Sequence, residues 1–268
     1  MSAIVLIGRG RLGASLARAL SENAFDVHFA RPAAGTGIRR AGTVIFCVPD
    51  GTIASLAKTL AAEEMEWRGK VVLHTSGLLS SRQLRPLQAR GAACGSFHPM
   101  QSFPRPNMPA AHFEGVPIGV EGDAAARRAA EKIAQALGAR PFTVRAADKP
   151  LIHTACSLVS NLYVPLFRMA VGLLESTEIP ARRAAEMLIP LVEGTLRNVK
   201  QLDASRALSG PISRGDLATV RAQLEVLRRF PAAARIYKVL GREAAALAEE
   251  AGLDRKKVKA LGRLLGGR

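Results

Sequence analysis

The stretch "IVLIGRGRLGASLARAL", residues 4–20, constrains the fold more than any other part of the chain. Four aliphatic residues read as a buried strand, Gly8-x-Gly10-x-x-Gly13 as a tight turn, and Leu12 to Leu20 as a helix with apolar residues three and four apart. Placed between strand and helix, the first glycine makes the turn, the second lets a pyrophosphate approach the backbone, and the third lets helix and strand pack closely. The helix start then offers free N–H groups to the phosphates. Gly8, Arg9, Gly10, Arg11, Leu12 and Gly13 are therefore candidate contacts to a dinucleotide.

The second strand, Asp26 to Ala30, tests which dinucleotide. An NAD site places an acidic residue at the end of this strand to hold the ribose hydroxyls. "DVHFARP" offers Ala30 and Arg31 there, with Arg39 and Arg40 nearby and no acid. A guanidinium at Arg31 suits a 2′-phosphate, so the expected cofactor is NADP (NADPH). A third strand, Thr43 to Val48, leaves the sheet at Val48-Pro49-Asp50, on the carboxyl edge where ligands of open α/β sheets bind. Val48 and Pro49 join the cofactor candidates. Asp50 reads as a cap for a helix from near Thr52 to Ala62.

Strand and helix signals alternate up to about residue 145, as in a parallel α/β sheet. A strand at Lys70 to Leu73 and a helix at Ser81 to Ala89 are followed by strands in "CGSF", "VPIGVEG" and "RPFTV", with a helix at Ala124 to Leu137. From Pro150 onward only helical patterns occur, broken by Pro180, "SGPISRG", Pro231 and Gly252. The expected architecture is an α/β domain of residues 1–146 with a mostly parallel sheet, then an all-helical domain of residues 147–268.

A net charge of +16 raises the question of nucleic acid. The arginines are spread through helices, aromatics are 4% of residues and no zinc-finger spacing occurs, so no nucleic-acid partner and no metal are expected. A small anionic substrate and an anionic cofactor account for some of the charge. No basic stretch precedes the first apolar run. The longest apolar stretch, Leu151 to Leu174, is interrupted by His153, Asn161, Pro165 and Arg168, which argues against a membrane span. Cys47, Cys94 and Cys156 lie far apart, a pattern that suits a reducing cytoplasm.

Polar clusters mark the substrate end. "VVLHTSG" closes the fourth strand with His74, Thr75 and Ser76, and "GSFHPMQSF" closes the fifth with His98, Gln101 and Ser102. Both should emerge on the edge that carries the glycine loop. The helix of "DKPLIHTACSLVSNLYVPL" gathers Lys149, His153, Cys156, Ser157, Ser160 and Asn161 on one side, with Leu151, Leu158 and Leu162 opposite. Small polar groups and a histidine on one stripe suit a helix that lines a polar cleft. Asp148 reads as its N-cap.

These motifs carry a resemblance. Gly8-x-Gly10-x-x-Gly13, "VPD" at 48–50, "HTSG" at 74–77, "GSFHPMQSF" at 95–103, Lys149 with His153, "SN" at 160–161 and "GPISRGD" at 210–216 resemble the group that joins a Rossmann-like domain to a C-terminal domain of unknown function 2520. That group is similar to the superfamily of 6-phosphogluconate dehydrogenase, β-hydroxyacid dehydrogenases and ketopantoate reductases. The resemblance implies an NADPH-dependent reductase of a small 2-oxoacid, with ketopantoate the leading substrate and pantoate the product. In those enzymes a lysine acts as general acid or base and an asparagine one turn later positions substrate. Lys149 matches the lysine. The residue one turn later is His153, so Asn161 becomes the positioning candidate. On this reading Lys149, His153, Asn161 and His98 are catalytic, Thr75 meets the cofactor, and Ser76, His98, Gln101, Ser102, Ser157, Asn161 and Asp216 hold substrate. Asp216 reads equally as a first-turn helix acid. "HPM" at 98–100 is similar to prephenate and arogenate dehydrogenases, the alternative class of reaction. A nucleotide-binding accessory protein without catalysis is a third reading. Relatives are commonly dimeric, and apolar helices such as "AAEMLIPLVEGTL" suit a homodimer.

Overall fold

The computed structural model describes residues 3–30 and 36–266. Arg31, the residue expected to choose between NAD and NADP, lies outside the described residues. The chain divides into two compact units, Met1–Tyr163 and Val164–Arg268. The sequence changes character near residue 146, whereas the compact units part after Tyr163, so the first helix beyond the change belongs to the α/β unit.

The α/β unit is built on seven strands: β1 (Ile4–Ile7), β2 (Val27–Phe29), β3 (Thr43–Phe46), β4 (Val71–His74), β5 (Ala93–Pro99), β6 (Pro117–Gly122) and β7 (Arg140–Thr143). They pair in the order β2-β1-β3-β4-β5-β6-β7. The sheet is mostly parallel, and the departure is β6, which runs antiparallel to β5. Helices α1 (Arg11–Glu22), α2 (Thr36–Arg40), α3 (Asp50–Ala62), α4 (Arg85–Gln88) and α5 (Ala124–Ala136) flank it, and α6 (Lys149–Val159) follows β7. Along each strand, alternate side chains feed two separate cores. Leu6, Ile45, Leu73, Phe97 and Val120 pack beneath α1 and α5, while Val5, Val44, Phe46, Val72 and Cys94 pack with Ile53, Leu60 and Trp67 on the other face.

Two local expectations change. The helix expected over Ser81 to Ala89 is a 3₁₀ turn at Ser81–Leu84 followed by α4, with Pro86 in its first turn. A proline can start a helix, where its missing N–H costs nothing, but it resists being passed through. Asp148 sits at the N-cap position of α6, yet its carboxylate accepts from Arg145 Nε and Nη2 at 2.6 and 2.9 Å, and no side-chain cap forms.

The second unit contains α7 (Tyr163–Glu175), α8 (Ala181–Gln201), α9 (Ala204–Ala207), α10 (Leu217–Leu227), α11 (Pro231–Glu250) and α12 (Arg255–Leu264), with no strand among the described residues. Its buried cluster is Val220, Ala245, Leu261 and Leu265. Within Lys149–Glu175, an 18-residue window reaches a mean hydropathy of 1.4, apolar enough to cross a membrane by length and composition.

Candidate active site

The glycine loop begins where β1 ends. Gly8 has φ +111°, and a β-carbon there would stand 2.2 Å from the Cys47 carbonyl oxygen of β3's exit. A β-carbon on Gly13 would meet the Gly8 carbonyl oxygen at the same distance, whereas one on Gly10 would meet nothing within 4 Å. Gly10 is the N-cap of α1 and leaves the first N–H groups of that helix without a side-chain cap. The loop is thus tight where strand and helix pack and open where a phosphate would sit. That arrangement fits a dinucleotide.

A cavity of about 710 Å³ lies beside this loop, lined by Gly8, Arg9, Phe29, Ala30, Val48 and Thr52 among others. Among the described residues, its lining includes no carboxylate. The Arg9 guanidinium stands 4.6 Å from the centre of the Phe29 ring, at the end of β2. Of the expected cofactor residues, Gly8, Arg9 and Val48 line this cavity. Pro49 is the N-cap of α3, Leu12 packs against the core, and Arg39 is turned away, donating to the Glu64 carbonyl at 2.7 Å. Thr75 is buried, its hydroxyl donating to the Phe46 carbonyl at 3.3 Å.

A second cavity, of about 510 Å³, opens at the carboxyl end of β5. Arg11, His98, Gln101, Ser102, His153 and Asn161 line it, together with Pro99, Met100, Cys156 and Ser160. One glycine loop therefore places Arg9 in the first cavity and Arg11 in the second. His153, Cys156, Ser160 and Asn161 of the polar stripe face this cleft as expected, Lys149 and Ser157 do not line it, and the opposite side of the helix leaves Leu151, Leu158 and Leu162 exposed by 75%, 60% and 55%. His98 and His153 meet edge to face, with ring centroids 5.6 Å apart and planes at 72°. Gly77 makes that approach possible: a β-carbon at 77 would lie 2.5 Å from both His153 Nδ1 and His98 Nε2.

Beneath the imidazoles lies a row of buried polar groups. The register pairs Ser96 of β5 with His74 of β4 on one side and Glu121 of β6 on the other. The side chain of Lys149, the first residue of α6, descends onto this row. Lys149 is 3% exposed, and its Nζ donates to Ser96 Oγ at 2.9 Å and to the Ser76 carbonyl at 3.0 Å. Ser96 Oγ in turn donates to Glu121 Oε2 at 3.3 Å, and Glu121 also accepts from Ser81 N (2.8 Å) and Ser81 Oγ (2.7 Å). Burial pushes the Lys149 ammonium down to about 8, against the opposing pull of the Glu121 and Asp50 carboxylates. Burial also takes His98 down to about 4, and the Lys149 charge and His153 push the same way. His98 is therefore a neutral imidazole at pH 7.

Some expected site residues are otherwise engaged. Ser76 is buried and donates to Asp50 Oδ2 at 2.7 Å while accepting from Leu78 N and Leu79 N. Asp50 is thus a partner for Ser76 in the first turn of α3, not a side-chain cap. Asp216, in the second unit, is the N-cap of α10 and accepts from Thr219 N (3.0 Å) and Thr219 Oγ1 (2.7 Å). Those two donors hold its carboxyl below the usual range. Ser96 and Glu121 escape a reading of motifs. The available signal was an acid at an inward position of "PIGVEG", where alternation calls for an apolar residue.

Among solved structures, a Bacteroides fragilis protein provisionally described as an NADP oxidoreductase has a TM-score of 0.74 at 23% identity, over 91% of this chain and 97% of that one. A Thermotoga maritima protein, TM1727, has a TM-score of 0.73 at 22% identity, over 93% and 99%. The Plasmodium falciparum pyrroline carboxylate reductase with NADP bound has a TM-score of 0.60 at 14% identity, over 97% and 98%. No curated protein matches the sequence. Residues 29–99, from the end of β2 through β5, match the family profile of a Rossmann-like domain, and residues 116–244 match that of a domain of unknown function, DUF2520. The chain joins a Rossmann-like domain to a DUF2520 domain.

Proposed function

We propose that this chain is an NADPH-dependent reductase of a small 2-oxoacid, with ketopantoate reduction to pantoate as the leading reaction. The observation that carries the reading is the glycine loop, which puts Arg9 in one cavity and Arg11, two residues on, in another at the carboxyl edge of the sheet. The first cavity has the glycine cradle, a free helix start and Arg9 in place of an acid, a set that suits the 2′-phosphate of NADP. The solved Bacteroides and Plasmodium proteins, whose names carry NADP, share the fold and support this choice. When bound, the nicotinamide supplies the hydride.

The chain's own residues then do the rest. Arg11 and the hydroxyl of Ser102 hold the substrate carboxylate in the cleft, and Asn161 orients the carbonyl. His153 faces the cleft and protonates the developing alkoxide on this reading, which the burial of Lys149 and its absence from the cleft lining support over the expected role of Lys149 as the acid. Lys149 instead stabilises the developing negative charge from beneath, through its fixed ammonium. Neutral His98 packs against His153 and limits its rotation.

The test is NADPH consumption over a panel of 2-oxoacids including ketopantoate, with prephenate and a cyclic imine such as pyrroline carboxylate as competitors. Turnover of ketopantoate that falls by at least ~10²-fold in His153→Gln, with NADPH affinity retained, is the expected result. Binding of NADPH without turnover on any member would leave a nucleotide-binding accessory protein.

We further propose that the working form is a homodimer. Within the second unit α8 keeps only Ala184 buried, while Met187 and Leu191, one turn apart, are exposed by 52% and 67%. A helix of 21 residues held by so little of its own chain requires a partner for its apolar face.

A further inference from the structure

We infer that Glu121, acting through Ser96, is a positioning residue for Lys149: carboxylate, hydroxyl and ammonium form one buried chain that seats a positive charge under the cleft. The inference deepens the reductase reading and rests on it for its catalytic consequence. Three observations carry it. The donors run in one direction, Lys149 Nζ to Ser96 Oγ and Ser96 Oγ to Glu121 Oε2, so a single hydroxyl proton serves the link. Glu121 is itself buried on a strand whose register places it directly across from Ser96. It accepts two further hydrogen bonds, from the backbone and hydroxyl of Ser81, which hold the carboxylate in place beside Ser96.

A buried acid and a buried base are each costly alone, and removing one partner leaves the other charge uncompensated. Buried ion pairs can often be replaced by well-packed apolar residues without loss of stability. The chain places the charges instead where the ammonium also meets His98 of β5, His74 of β4 and Asp50 of α3. His74 and His98 repel the Lys149 charge when protonated, Asp50 and Glu121 attract it, and His153 stands one turn along α6. Of the two acids, Glu121 exerts the larger pull, so its loss should lower the pH at which Lys149 gives up its proton.

The experiment uses the full chain with ¹³Cε-labelled lysine and follows the Lys149 resonance by NMR titration, beside the pH profile of kcat/KM for NADPH-dependent reduction. In E121Q, Lys149 should titrate about one pH unit lower than in the wild type, and the alkaline limb of activity should move with it. The KM for NADPH should stay unchanged. Glu121→Asp should restore part of the shift, and Ser96→Ala, which keeps the carboxylate but removes the link, should shift Lys149 less than E121Q. An unmoved Lys149 titration in E121Q overturns the assignment; should E121Q fail to fold, an unmoved titration in S96A does the same. The resonance reports on the buried chain whether or not the protein turns over any substrate, so a failure of the reductase reading would show only in the activity arm.

Discussion

The α/β unit and the helical unit handle their apolar side chains in different ways. In the first, residues from both faces of the sheet close into two cores that include fully buried Phe46, Phe97, Phe113 and Trp67. In the second, the buried cluster has Val220, Ala245, Leu261 and Leu265 at its centre, and the faces of α8 and α11 keep Met187, Leu191, Leu196 and Val239 about half exposed or more. The contrast explains where chemistry can be placed. A finished core lowers the local dielectric and fixes strand register, so it can hold Lys149, Ser96 and Glu121 in one geometry. An unfinished core cannot, and its exposed faces are the ground of the proposed homodimer.

The largest predicted effect tests that contrast directly. Met187→Glu combined with Leu191→Glu puts two charges on one turn of α8's apolar side. Light scattering should show the wild type at twice the chain mass and the variant at the chain mass, with association weakened at least ~10³-fold, about 4 kcal/mol. NADPH binding by the α/β unit should persist. A wild type that already runs as a single chain would break the comparison, because the helical unit would then be stable with its apolar faces in water.

The next effect belongs to the α/β unit. His74 is fully buried, and burial, with the charge of Lys149 adding to it, takes it from 6.5 down to about 4. Between those values the unfolded chain binds a proton that the folded chain refuses, so stability is complete above pH 6.5 and declines as pH falls toward 4. The loss reaches about 3 kcal/mol from this residue, and His98 contributes with the same sign. Denaturant titrations at pH 7 and pH 4.5 should show a smaller difference in His74→Gln than in the wild type. An equal difference would mean that the buried row does not resist protonation.

How much of this was legible follows from the same physics. The strand, glycine turn and helix at residues 4–22 are local, each demanded by residues close in sequence, and they stand as expected. The polar stripe of α6 was legible by helical angle, because side chains three and four apart share a side. Its depth was not, since whether Lys149 reaches the cleft or the sheet depends on how α6 meets β4 and β5. Ser96 and Glu121 lie 25 residues apart and become neighbours only through the antiparallel pairing of β5 with β6. Pairing of that kind leaves no periodic trace in the chain. Ser76 is expected from the sequence to hold substrate, and only the fold brings Asp50 to it.

The smallest effect separates a local device from a tertiary one within the helical unit. Asp216 caps α10 by accepting from the N–H and hydroxyl of Thr219, much as Asp254 caps α12 by accepting from Lys256 N and Lys257 N. Both contacts lie within three residues, so removing either should cost about 1 kcal/mol, the ordinary worth of an N-cap. Asp216→Ala and Asp254→Ala should therefore lower the melting temperature by similar amounts and leave KM for the 2-oxoacid alike. If Asp216→Ala alone raises KM while Asp254→Ala does not, Asp216 touches substrate and the helical unit contributes to the chemistry. If the two behave as a pair, the helical unit contributes caps and a docking face, and the reacting groups belong to the α/β unit.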